Sequence, residues 1–313
     1  NVILQKQLLK KYFANVEGRT SEEEFFPAKT FNMSIERLKA LKDLSNLFFL
    51  IDEFDPHEPW DPPRKYLKMY LDPNYSGNKI IQPSYGIDLD HLSSEELECM
   101  RACYAGEVSM CDHWFGVFIR KLKELEIYDD SLVILISDHG HSLGEHGAIG
   151  KIPTHLYPEL VDIPLIIKPP GNVIGPKKLK EPYVYGHDIL PTIYGFMGKY
   201  IPDAFEGIDL SHFVDSSDQP LEDRDHVTCG MALWSLYKND EFAFITSNDK
   251  SYQKLFDLGK DRKWNHDISE KNQDICENLF EKIKEDANNE LLMDFKSTRF
   301  DNFNEWYQNT YLL

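Results

Sequence analysis

Cysteine is scarce: Cys99, Cys103, Cys111, Cys229 and Cys276 are the five among 313 residues, an odd number without CxxC spacing. Such a set excludes a disulfide framework and a cysteine-based zinc cluster, and its free thiols lean the expected compartment toward the cytoplasm. Long apolar runs are missing too. NLFFLI, from Asn46 to Ile51, falls well short of the ~18 residues of a membrane span, so no transmembrane helix is expected. Basic residues are outnumbered, 34 Lys and Arg against 53 Asp and Glu, and the net charge of −19 repels polyanions. Nucleic acid is therefore not an expected partner, and an anionic substrate needs a local positive site. The opening NVILQKQLLKKYF has neither a starting Met nor the pattern of a signal peptide, and any such leader would lie upstream of Asn1. Oligomeric state leaves no trace in the sequence.

What is present is the composition of a globular protein, 42% hydrophobic and 13% aromatic, enough for one large α/β unit with a smaller appendage. Leu4, Leu8, Leu9, Tyr12 and Phe13, then Ile35, Leu38, Leu41 and Leu44, recur at helical spacing and predict two helices ahead of a first strand. That strand is Leu47 to Phe54, an apolar run of the kind buried on both faces of a parallel sheet, which empties into Asp55, Pro56 and His57. Pro59, Pro62 and Pro63 then impose an extended loop. Ser93 and Glu96 form a capping-box signature for a long helix, with an apolar stripe of Leu97, Met100, Tyr104, Val108, Cys111, Phe115, Phe118, Leu122 and Leu125.

A second strand, Ser131 to Ser137, runs into Asp138, His139 and Gly140, and a third, Ile163 to Lys168, ends at Pro169, Pro170 and Gly171. This order predicts an α/β fold with a doubly wound, mostly parallel sheet between helices. From His226 the pattern changes to short alternating segments, Glu241 to Thr246 and Tyr252 to Leu258, a polar helix from Ile275 to Ala287 and an aromatic tail. The expected division is thus a large α/β domain over 1–225 and a small α+β subdomain over 226–313.

Ligands of open α/β sheets bind beyond the carboxyl ends of the strands. Asp138 and His139 follow one predicted strand and His57 another, so these three are expected to face one cleft. His141, Glu145, His146 and His155 lack the spacing of a zinc site and read as loop structure or pocket lining. Cys99, Cys103 and Cys111 read as packing on the long helix, and Trp60 as either an entrance residue or a packing residue of its loop.

SDHGHSLGEHG, from Ser137 to Gly147, resembles the second metal-binding motif of the sulfatases, within the alkaline-phosphatase-like superfamily. Further segments match in the family's order: DPHEPWDPP from Asp55, YAGEVSMCD from Tyr104, Lys151 followed by LYPELVDIPLIIKPPG, then HDILPTIYGFMG and LFDLGKDRKWNHDIS. The resemblance implies an incomplete alkaline-phosphatase-like fold, with Asp138 and His139 as metal ligands and with His57 and Lys151 contacting the ester group. It implies a divalent cation, calcium, manganese or similar, and hydrolysis of a small-molecule or carbohydrate sulfate ester. The Asp–His pair is similar to that of phosphonate monoester hydrolases and some bacterial or archaeal sulfatases, which keeps phosphonate and phosphate mono- or diesters open as substrates. Sulfatases carry formylglycine on a C-x-[PSA]-x-R motif, and this sequence has neither that motif nor an early strand ending in two Asp residues. Both are expected on a segment upstream of Asn1. The present piece alone is then expected to be inactive, or an anion-binding relic.

Overall fold

The computed structural model describes residues 2–87, 89–171, 183–212 and 224–293, with side chains from Leu9 onward. The chain divides into two compact units, Asn1–Ser131 and Leu132–Leu313. Among the described residues no helix is long and apolar enough to cross a membrane.

The first unit is helical: α1 (Val2–Val16), α2 (Phe26–Leu41), α3 (Arg64–Leu67) and the long α4 (Ser94–Glu124). The capping box forms as the sequence predicts, since Ser93 Oγ accepts from the Glu96 N–H at 3.2 Å and the Glu96 carboxylate accepts from the Ser93 N–H at 2.9 Å. Phe31 of α2 packs between Phe115 and Phe118 of α4, with ring centroids 6.1 and 5.9 Å away. The buried line of α4 runs Met100, Cys103, Glu107, Met110, Trp114, Phe118 and Leu122, so the predicted stripe shares only part of it and Val108 is exposed. On this face Gly106 lies so near Pro62 that an added Cβ would come within 2.8 Å of its ring.

The expected strand from Leu47 to Phe54 is a correction. It joins no ladder among the described residues, and Phe48, Leu50 and Phe54 are 72%, 77% and 73% exposed. Phe49, Ile51, Glu53 and Asp55 alternate with them and are half-buried. The alternation is that of a strand with one covered face; a ladder also needs a neighbouring backbone.

The second unit holds β1 (Val133–Ile136), β2 (Ser142–Leu143), β3 (Ile149–Gly150), the one-turn α5 (Pro158–Val161), β4 (Leu165–Lys168), α6 (Ile189–Phe196), β5 (His226–Met231), β6 (Trp234–Asn239), β7 (Phe242–Ser247), β8 (Gln253–Asp257) and α7 (Gln273–Asp286). Helix and sheet mix as the α/β class requires. The parallel order does not extend to the described strands, because β1 and β4 pair antiparallel, from Val133 opposite Lys168 to Ile136 opposite Leu165. A parallel pair needs a substantial crossover, usually a helix, whereas here a small β2–β3 hairpin and a single helical turn bring the chain back.

Strands β5 to β8 form an antiparallel meander. Its period-two alternation sends Leu236, Ala243, Ile245 and Phe256 to one face, where they meet Leu156, Tyr157, Leu160 and Trp264. Tyr237, Phe244 and Leu255 point the other way, onto Cys276, Leu279, Phe280 and Ile283. The proposed subdomain over 226–313 thus shares a core with residues upstream of it, and the aromatic tail lies outside the described residues. Phe244 is fully buried. Its replacement by Ala is expected to cost about 3–5 kcal/mol in urea unfolding, and a loss below about 1 kcal/mol would contradict this core.

Candidate active site

Strand β1 delivers Ser137, Asp138 and His139 into a turn closed by its own side chains. Ser137 Oγ donates to the His139 carbonyl at 2.8 Å, and the His139 N–H donates to Asp138 Oδ1 at 2.8 Å. Two backbone bonds tie this turn to α5: the Gly140 N–H donates to the Leu160 carbonyl and the His141 N–H to the Glu159 carbonyl, each at 2.8 Å. Gly140 is required here, since a Cβ would overlap the Glu159 carbonyl oxygen.

His139 Nδ1 lies 2.8 Å from the Gly140 carbonyl, which can only accept. Nδ1 therefore carries a hydrogen, and Nε2 lies 3.6 Å from Asp138 Oδ2. Asp138 is 85% exposed and His139 42%. A carboxylate oxygen and an imidazole nitrogen, adjacent and open to solvent, fit part of a divalent-cation shell. Among the described residues no group of three or more His, Cys, Asp or Glu assembles into a fuller shell.

Lys151 follows β3 directly, and β3 pairs with β2, which begins just after His141. One hairpin therefore carries Asp138, His139 and Lys151. Glu145 accepts from the Leu143 N–H at 2.7 Å, and His155 Nδ1 lies 2.7 Å from Thr154 Oγ1. Burial, followed by the charges of Lys254 and His146, pushes His155 down to about 4.

His57 belongs to the first unit. Its Nδ1 donates to the Glu58 carbonyl at 2.7 Å, and its ring stacks on Phe54 at 4.5 Å. Trp60 is fully buried, with its indole N–H donating to the Pro56 carbonyl at 2.9 Å, so it packs the loop rather than shaping an entrance. Cys99 and Cys103 are buried and Cys111 half-buried, consistent with packing.

Sequence reasoning missed a buried carboxyl, Glu107, that feels the charge of half-buried Asp55. Asp55 opens DPHEPWDPP and Glu107 lies in YAGEVSMCD. Burial, then the neighbouring Asp55 charge, drives Glu107 up to about 9, while burial and Glu53 raise Asp55 to about 7; Arg19 opposes both shifts. Glu107 is 3% exposed, and its Oε2 has no hydrogen-bond partner among the described residues. The available signal was its position between Cys103 and Met110 on the buried line of α4.

Because folded Glu107 holds its proton where the unfolded chain has released it, stability is present below the ordinary 4.5 and declines as pH rises toward 9. Glu107→Gln, neutral at every pH, is expected to flatten that alkaline decline in thermal melts between pH 5 and about 9. An unchanged slope would show that Glu107 is ionised in the fold.

Residues 15–199, more than half of the chain, match the family model described as Sulfatase. An arylsulfatase of Clostridium perfringens is 30% identical over 262 residues, covering 77% of this chain and 53% of the relative. An ulvan-active sulfatase of Formosa agariphila is 26% identical over 216 residues, covering 68% and 40%. The chain thus spans about half the length of the curated relatives it matches. Among solved structures, a phosphonate monoester hydrolase from Silicibacter pomeroyi shares the fold, with a TM-score of 0.73 at 20% identity over 88% of this chain and 62% of its own. With its ordered motifs, its mixed helix and sheet and the family match across both units, the chain belongs to the sulfatase family and has the alkaline-phosphatase-like fold.

Proposed function

We propose that the protein containing this chain hydrolyses sulfate esters of small molecules or carbohydrates, with Asp138 and His139 as metal ligands and with His57 and Lys151 acting on the ester. The observation that carries this reading is the Asp138–His139 turn, where the Gly140 carbonyl engages Nδ1 and leaves Nε2 beside the Asp138 carboxylate. A divalent cation bound there would polarise a non-bridging oxygen of the ester and favour the ionised nucleophile.

The chain's own groups supply the rest. His57, its Nδ1 occupied by the Glu58 carbonyl, hands a proton from Nε2 to the departing alkoxide as the sulfur–oxygen bond breaks. Lys151 sets its ammonium charge against a non-bridging oxygen, the local positive site that a chain of net charge −19 needs for an anionic substrate. The nucleophile in this reading is a hydrated formylglycine on a segment outside this sequence, which has no C-x-[PSA]-x-R motif. Without that segment the present piece is proposed to be inactive.

A second reading is hydrolysis of phosphonate or phosphate esters. The imidazole ligand favours it, because nitrogen shifts the preference from calcium toward manganese, iron or zinc. Assays of the full-length protein with an aryl sulfate and an aryl phosphonate separate the two. In either case Asp138→Ala and His57→Ala are each expected to lower kcat by at least about 100-fold on the better substrate. Turnover insensitive to both substitutions would remove these residues from the site.

A further inference from the structure

His146 sits at the tip of the hairpin that carries Asp138, His139 and Lys151. Its backbone is left-handed, φ 51° and ψ 22°, between two positive-φ glycines, Gly144 and Gly147. That conformation turns the side chain back toward α5 and the loop after β8. Nδ1 lies 2.7 Å from Glu159 Oε1 and Nε2 lies 2.8 Å from the Lys263 carbonyl oxygen. The ring is stacked on Tyr157 with centroids 3.8 Å apart and planes 8° apart. Only 14% of the His146 side chain and 16% of the Glu159 side chain are exposed.

A carbonyl oxygen only accepts, so Nε2 bears a hydrogen; with Glu159 ionised its carboxylate only accepts as well, and Nδ1 then bears a second. A ring that donates at both nitrogens is an imidazolium, and the face of Tyr157 beneath it is the surface that a planar cation prefers. The other charged and titratable neighbours are accounted for. His155 stays neutral down to about 4, with the His146 charge among the causes, and Lys254 donates to the Tyr157 hydroxyl at 3.0 Å.

Glu159 then serves two parts of the hairpin. Its backbone carbonyl accepts from the His141 N–H, beside the Asp138–His139 turn, and its carboxylate holds His146 at the tip. The Gly144 N–H to Ala148 carbonyl bond at 2.8 Å closes that tip, and two residues past it β3 ends and Lys151 begins.

We propose that His146 is a positioning residue: as an imidazolium clipped between Glu159 and the Lys263 carbonyl, it locks the hairpin in the register that presents Asp138, His139 and Lys151 to the ester. This rests on the reading of those three residues as site residues. His146 touches neither substrate nor metal in this role. It removes the freedom of the segment that does, and a misplacement of about 1 Å there is enough to cost on the order of 100-fold in rate.

The test has two arms on the full-length protein. In nitrogen-15 spectra at neutral pH, both ring nitrogens of His146 are expected at protonated positions, and Glu159→Gln is expected to return Nδ1 to the unprotonated position, since the amide can donate to it. A neutral ring in the unsubstituted protein overturns the imidazolium clip.

In kinetics, His146→Ala is expected to lower kcat by about 10- to 100-fold with a smaller change in KM. Leu279→Ala, which removes a core side chain of α7, is expected to leave kcat unchanged. Equal kcat losses in the two variants, or none in His146→Ala, overturn the positioning role. If Asp138→Ala retains full turnover, the site reading fails instead, and the spectra still decide the clip.

Discussion

Two backbone hydrogen bonds, from Gly140 to Leu160 and from His141 to Glu159, constrain where the Asp138–His139 pair points. Each is worth only about 0.5–1.5 kcal/mol net, but together they tie the segment leaving β1 to a single helical turn and leave little freedom for the residues between. Glycine at position 140 is what allows so close an approach. Once the turn is held, its side chains settle the remaining choices: Asp138 Oδ1 takes the His139 amide, and the Gly140 carbonyl takes Nδ1. The anchor α5 is itself anchored, since Leu156, Tyr157 and Leu160 pack on the β5–β8 sheet. The hairpin therefore draws its rigidity from a core built largely from residues 236–264.

The parts legible in the sequence were those governed by local rules. The start of α4 followed from Ser93 and Glu96, because a capping box needs only residues three apart. Strands β1 and β4 were found within two residues at each end, since short apolar runs bounded by Asp, Pro and Gly have few other uses. The Asp138–His139 turn was legible because a strand end, a glycine and a family pattern coincide there.

What escaped the sequence depended on partners distant along the chain. An apolar run does not encode the direction of the strand beside it, so the antiparallel β1–β4 pairing was not visible. Leu47–Phe54 has the alternation of a strand without a ladder among the described residues. Strands β5 and β6, HVTCGM and WSLYKN, mix small, polar and aromatic residues and carry a weak period of their own. Glu107 was overlooked because a carboxylate on a helix is ordinarily assigned to solvent. Its burial and the charge of Asp55 join two family motifs of the first unit through electrostatics that cost stability rather than add it, the kind of expense a functional region can carry.

The central claim is that Asp138 and His139 are metal ligands of a sulfatase-family site. Anomalous scattering from crystals of the full-length protein loaded with manganese tests it most directly. The account predicts a manganese peak bound by an Asp138 carboxylate oxygen and His139 Nε2. A peak held by other side chains, with Asp138 and His139 outside its shell, would contradict it.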